Sequence, residues 1–186
     1  MNLVLVGINH KTADISLREK VAFPPEIVGE ALSKIHKIPD LAEIVLLSTC
    51  NRTEFYISYE LEKLTETCSS KKEISQIIKE RQQYVVEWIA DYHQLKHTQF
   101  SDSVYLFSDL DVVRHLMKVS CGLDSAVLGE PQILGQIKSA FALSRELGVV
   151  GPALGRAFQA AFSIAKEVRT DTAIGENPVS VAYAAI

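Results

Sequence analysis

The chain has 186 residues, 47% of them hydrophobic, a formal net charge of −4 and three cysteines. That length and apolar content are enough to bury a sizeable core, as one domain over residues 1–150 with a helical extension over 151–186. The charge argues against indiscriminate nucleic-acid binding, the cysteines are too few for a disulfide framework or a zinc site, and no run of about 18 apolar residues exists to span a membrane. Met1 runs directly into a strand-like segment with no charged leader, so the expectation is a soluble, cytoplasmic protein.

Asn2 to Ile8 reads as an opening strand, followed by a polar turn in which His10 is an ordinary loop histidine. Ser16 followed three residues later by Glu19 has the form of a capping box, which predicts a short helix starting at Ser16 and stopping before Pro24 and Pro25. Glu26 to His36 resumes as a helix with Ile27, Ala31, Leu32 and Ile35 on one face, and Pro39 ends it. Ile44 to Leu47 is an apolar run suited to a buried strand. Phe55, Ile57 and Tyr59 then alternate with Glu54, Tyr56 and Ser58 as in a second, half-exposed strand.

Between these strands lies Ser48-Thr49-Cys50-Asn51-Arg52. Asn51 is an ordinary turn residue, whereas a cysteine flanked by threonine and arginine is not. A free thiol titrates near 8.5, so only a few per cent is thiolate at neutral pH, and a neighbouring cation raises that fraction. Arg52 is the obvious cation, and its planar fork suits a carboxylate, while Thr49 and Asn51 supply orienting polar groups. The competing reading makes Cys50 a small buried hydrophobe and Arg52 a surface residue.

Leu61 to Lys72 is polar and reads as a loop carrying Cys68. From Glu73 to Tyr92, Ile74, Ile77, Ile78, Val85, Trp88, Ile89 and Tyr92 recur at helical spacing, so this face should cover the sheet. Val104 to Phe107 offers a fourth strand before Asp109 or Asp111 caps another helix. Leu110 to Cys121 is an apolar-striped helix ending at Gly122, with His115 beside the stripe, where an interface histidine is the ordinary reading. Asp124 to Gly135 is too irregular for a helix interior. Its Glu130, Gln132 and Gln136 offer hydrogen-bonding groups for an ammonium or amide, with a capped helix start as the alternative. Amphipathic helices follow over Ile133–Leu147 and Pro152–Thr170, and Asn177 with Pro178 would start a last one.

The order strand, helix, strand, strand, helix, strand is that of an α+β, ferredoxin-like split βαβ arrangement: an antiparallel sheet with helices on one face, followed by an all-helical extension. The Cys50 turn would lie at one sheet edge, where the later helices could close over it and form a pocket. No GxG occurs among the nine glycines, so a dinucleotide-binding fingerprint is absent.

The block STCNRTEFY, Ser48 to Tyr56, closely resembles the signature of the glutamyl-tRNA reductase family, and GLDSAVLGEPQILGQIKSAF, Gly122 to Phe141, resembles its second diagnostic segment. GINHKTADISLREKVAF, Gly7 to Phe23, and IGENPVSVAYAAI, Ile174 to Ile186, are similar to the family as well. The polar connection at 61–72 departs from it, being longer than usual. The resemblance implies that Cys50 attacks the ester of glutamyl-tRNA to give an enzyme thioester, which NADPH reduces to glutamate-1-semialdehyde for tetrapyrrole biosynthesis. It further implies that His115 serves proton transfer or substrate orientation, and that Ser125, Glu130, Pro131, Gln132 and Gln136 line the glutamate pocket. Glu130 would meet the substrate ammonium and Arg52 its carboxylate. Homodimerisation through a missing C-terminal domain and contact with the downstream aminomutase are implied too. On this reading the chain is a truncated piece ending in the connector to an absent NADPH domain. Two other readings remain open: a non-catalytic tRNA-binding or regulatory module, which would tolerate Cys50→Ser, and a thiol-dependent acyl hydrolase built on Cys50 and His115.

Overall fold

A computed structural model describes residues 3–60 and 70–175. Cys68, most of the polar connection and the Asn177-Pro178 helix start lie outside the described residues. Strand β1 (Leu3–Asn9) is followed by helices α1 (Ile15–Lys20) and α2 (Pro25–Ile35), then strands β2 (Leu41–Ser48) and β3 (Arg52–Tyr59). Helix α3 (Lys71–Tyr92) leads through a single helical turn, His97–Phe100, to strand β4 (Tyr105–Ser108). Helices α4 (Leu110–Ser120), α5 (Gln132–Glu146) and α6 (Pro152–Asp171) complete the fold.

The sheet runs β2-β3-β1-β4 with every neighbouring pair antiparallel, the order expected of the ferredoxin-like arrangement. Because side chains alternate across a strand, its two faces build two separate cores. Val4, Val6, Ile8, Ile44, Leu46, Phe55 and Ile57 pack against α2 and α3. Leu3, Leu5, Val45, Leu47 and Tyr56 pack against α4, α5 and α6. Each large apolar side chain so buried contributes about 1.5–3 kcal/mol. Since α4, α5 and α6 occupy the second face, β3 is buried along its whole length, not half-exposed as its alternation had indicated.

One local detail differs from the sequence reading, and a second lay beyond it. Asp14, not Ser16, caps α1: its carboxylate accepts from the Leu17 N–H at 2.8 Å and from the Ser16 hydroxyl at 3.0 Å. The acidic side chain thus reaches the first-turn amides that a serine two positions later has already passed. Residues 149–154 are also stitched to β2. The Ile44 N–H donates to the Val149 carbonyl at 2.8 Å, and the Glu43 carboxylate accepts from the Ala153 and Leu154 N–H groups at 2.9 and 2.7 Å. A strand carboxylate therefore caps the N-terminus of α6, where the helix dipole favours it. Gly151 leaves the room, since a Cβ there would stand 3.0 Å from the Glu43 carboxyl carbon.

Candidate active site

The turn joining β2 to β3 is tied from within. Thr49 Oγ1 accepts from the N–H groups of Asn51 and Arg52, each at 3.2 Å, and the Thr49 N–H donates to the Arg52 carbonyl at 2.8 Å. These bonds close the turn and leave Cys50 exposed at its apex. From below, Arg18 of α1 donates through Nη1 to the Cys50 carbonyl at 2.7 Å and to Asn51 Oδ1 at 3.1 Å. The His10 N–H donates to the Asn51 carbonyl at 2.9 Å. A cavity of about 280 Å³ opens beside the thiol, lined by Arg18, Phe23, Ser48, Thr49 and Cys50 among others. A larger one of about 600 Å³ adjoins it through Phe23, Pro25 and Ser48 and is lined by Gln132 and Gln136.

Arg52 does not present itself to the thiol as a free cation. It is 1% exposed, and its guanidinium is enclosed between Glu54 of its own strand and the loop at Asp124. Nη1 donates to Glu54 Oε1 at 2.6 Å, and Nη2 to the Asp124 carbonyl and Oδ2 at 2.6 and 3.1 Å. Glu54, fully buried, also accepts from Tyr105 Oη at 2.5 Å, from Tyr56 Oη at 2.6 Å and from His115 Nε2 at 2.8 Å. With the carboxylate ionised, Nε2 carries the imidazole proton. Burial alone would push the Glu54 carboxyl up, but the Arg52 charge and the bonds from His115 and Tyr105 outweigh it and hold the group at about 2. Burial beside the Glu54 carboxylate pushes the phenols of Tyr56 and Tyr105 up, so both remain donors. Asp124, bound also by the Lys11 ammonium, is held below the usual carboxylate range despite its partial burial. The cluster thus satisfies a buried charge with an opposite charge and hydrogen bonds, the condition under which such a charge is tolerated.

Seven of the ten residues singled out from sequence fall in three places, and Ser125, Glu130 and Pro131 lie on the loop before α5. Thr49, Cys50 and Asn51 form the turn; Gln132 and Gln136 face the larger cavity; Arg52 and His115 sit together in the buried cluster, joined through Glu54. His115 is in ring contact with Tyr105 and Phe107, at 5.5 and 5.1 Å between centroids, and its ring nitrogen Nε2 is paired with Glu54, not with the thiol. Ser125 has a buried hydroxyl without a partner. Glu130 is buried, and its carbonyl accepts from Arg169 Nη2 at 3.0 Å. Pro131 directly precedes α5. Sequence reasoning missed Arg18, Glu54, Tyr56, Tyr105 and Asp124. For Glu54 and Tyr56 a signal existed, because the strand period of two puts them on the face of Arg52. Among the described residues no group of His, Cys, Asp and Glu side chains is arranged to hold a metal ion, and no helix is long and apolar enough to cross a membrane.

Residues 6–172 match the family model described as glutamyl-tRNA(Glu) reductase, N-terminal domain. Over all 186 residues the chain is 52% identical to the glutamyl-tRNA reductase of Ectopseudomonas mendocina, covering 39% of that protein, and 52% identical to that of Pseudomonas putida strain W619, covering 40%. It therefore spans about two fifths of the length of these curated relatives. The solved glutamyl-tRNA reductase from Methanopyrus kandleri superimposes with a TM-score of 0.71 at 30% identity, over 99% of this chain and 38% of the other.

Proposed function

Because this chain belongs to the family of glutamyl-tRNA reductase N-terminal domains, we propose that it is the part of such an enzyme that takes the glutamyl group from its tRNA. The observation that carries the reading is Cys50: an exposed thiol at the apex of an internally closed turn, beside a cavity and backed by an arginine. The thiolate sulfur attacks the ester carbonyl carbon, a carbon–sulfur bond forms, and the bond to the ribose oxygen of the tRNA breaks. The ribose oxygen leaves as a hydroxyl with a proton, while the thiol proton passes to solvent. The product is a glutamyl thioester on Cys50.

The roles around it follow from placement. Thr49 and Asn51 shape the turn, and Arg18 holds both the Cys50 carbonyl and Asn51. Gln132 and Gln136 supply amide groups for the glutamyl moiety in the adjoining cavity, with Pro131 fixing the start of their helix. Glu130 and Ser125 lie on the loop that leads there, buried beneath its surface and available to an ammonium only where that loop opens. For Arg52 to meet the substrate carboxylate, that carboxylate must replace Asp124 on Nη2. His115 is a positioning residue, keeping Glu54 and through it Arg52 in register.

The thioester would be reduced by hydride from NADPH in the complete enzyme. The residues of this chain do not fit that cofactor: the nine glycines form no GxG, and the four described strands are antiparallel, with no strand–glycine turn–helix cradle for a pyrophosphate. No reduction step is derived from them. Dimerisation, contact with an aminomutase and a cytoplasmic setting belong to the same proposal for the complete enzyme.

Mass spectrometry after incubation with glutamyl-tRNA tests the acyl transfer. A glutamyl adduct is expected on Cys50 and none on Cys50→Ala; an adduct on Cys68 or Cys121 instead, or unchanged function in Cys50→Ser, would overturn it. Glutamate-1-semialdehyde formed by this chain with NADPH alone would refute the assignment of reduction to other parts of the enzyme.

A further inference from the structure

A groove of about 480 Å³ lies between α5 and α6, away from the residues that line the thiol's cavities. Its charged lining residues are all cations: Lys138 from α5, and Lys166 and Arg169 from α6. No sequence window reveals the cluster, because two helices must pack before its members meet. Like charges at i and i+3, as in Lys166 and Arg169, are unfavourable on a helix surface. In a chain of net charge −4, such a patch has a reason to exist if an anion settles between its members.

The individual geometries point the same way. Lys138 and Lys166 are exposed and enter no ion pair with any described residue; the Lys138 ammonium rests 5.8 Å from the Phe162 ring centroid. Arg169 is half-buried, with Nη2 spent on the Glu130 carbonyl and Nε lacking an acceptor. Gln159, Ser163 and Thr170 add neutral polar groups, the mix that makes backbone contacts to a nucleic acid. Arg169 also connects the groove to the site. The loop it holds at Glu130 carries Asp124, which binds Arg52, and runs on to Gln132, which lines the cavity beside Ser48.

We propose that this groove receives phosphates of the tRNA whose glutamyl ester is presented to Cys50. The inference rests on the acyl-transfer reading and gives it a place for the RNA. The backbone contact is independent of base sequence, so it supplies affinity and orientation while the glutamyl group is recognised elsewhere.

The test uses the double variant Lys138→Ala/Lys166→Ala, which spares Arg169 and its loop contact, and titrates the full chain with deacylated glutamate tRNA over a series of salt concentrations. Binding is expected to weaken by about tenfold and the slope of log K against log salt to fall by about 2, close to one per lysine. Acylation of Cys50 by 2′(3′)-O-glutamyl-adenosine, which lacks the phosphate backbone, is expected to be unchanged, while acylation by glutamyl-tRNA slows. Unaltered tRNA affinity and salt slope overturn the groove assignment, and Cys50 acylation by the adenosine ester then still stands as a separate result. Lysine-dependent binding of polyglutamate without lysine-dependent binding of tRNA also overturns it, in favour of an acidic protein partner. Loss of acylation by both donors with an altered unfolding midpoint identifies a misfolded variant; Lys138→Gln/Lys166→Gln then decides between the same two outcomes.

Discussion

The two faces of β3 are built from one stretch of eight residues and do different work. Thr53, Phe55, Ile57 and Tyr59 face the ferredoxin-like helices, where Phe55 meets Phe23 and Trp88 edge-on at 5.5 and 6.3 Å. Arg52, Glu54 and Tyr56 face the later helices and the loop at Asp124, where the first two are held by directed charge contacts. Burial on the first face is non-directional and tolerates sliding. On the second, each hydrogen bond demands a set distance and angle between one donor and one acceptor. The strand thus takes its stability from one side and fixes the end that carries the Cys50 turn from the other.

Substitution of one residue from each face breaks the comparison most sharply. Glu54→Gln leaves Arg52 buried without its main counter-charge, at an expected cost of about 3–5 kcal/mol. Phe55→Ala empties a fully buried site at a similar cost of about 3–5 kcal/mol. Equal losses should carry different signatures with pH. The Glu54 carboxyl is held near 2 against an ordinary 4.5, so its contribution is complete above about 4.5 and is lost as pH falls toward 2. Asp124, also lowered, acts in the same acid range. Urea unfolding at a series of acid pH values should therefore show the wild-type decline preserved in Phe55→Ala and reduced in Glu54→Gln. An undiminished decline in Glu54→Gln would mean that the buried carboxylate is not the ionised keystone described above.

A smaller effect is expected at Gly7, where β1 passes beneath the cluster. A Cβ there would lie 2.9 Å from Glu54 Cγ and 3.0 Å from the Tyr105 ring, so Gly7→Ala should cost about 1–3 kcal/mol through crowding. Because the methyl and the Tyr105 ring compete for the same space, Gly7→Ala and Tyr105→Ala should combine non-additively. Additive unfolding free energies would separate Gly7 from the polar cluster and leave it a matter of strand packing alone.

The sequence made some of this legible and hid the rest for a physical reason. Period-two alternation and helical stripes located the strands and helices, because each depends on neighbours within one element. The half-exposed reading of β3 failed because alternation cannot tell solvent from a second polar cluster: Glu54 and Ser58 look outward in the sequence and are covered in the fold. Cys50 was found because its neighbours in the chain are also its neighbours in the turn. Asp124 lies 72 residues from Arg52, and Arg18 lies 32 from Cys50, so only the packed fold brings them together. The cap at Asp14 shows the same limit at short range, since two side chains competed for one set of amides and the sequence could not rank them.

Arg18 gives the finest test, because it touches the turn without belonging to either face of the strand. Its bond to the Cys50 carbonyl is one among several holding the turn, the others coming from Thr49 and His10, so Arg18→Ala should leave the fold intact. The two hydrogen bonds lost, to the Cys50 carbonyl and to Asn51 Oδ1, are worth about 1 kcal/mol each, a fall of about 4–8 °C in the unfolding midpoint for a chain of this size. Cys50 acylation should fall as well, by about tenfold, because misplacement of a nucleophile costs rate even where the fold stands. Both bonds leave Nη1, so the ammonium of Arg18→Lys has the donors to remake them but sits on a shorter, differently shaped side chain, and it should recover only part of the rate. Full recovery by lysine would mean that any cationic donor at this place suffices, and an unchanged rate in Arg18→Ala would reduce it to a tether between α1 and the turn.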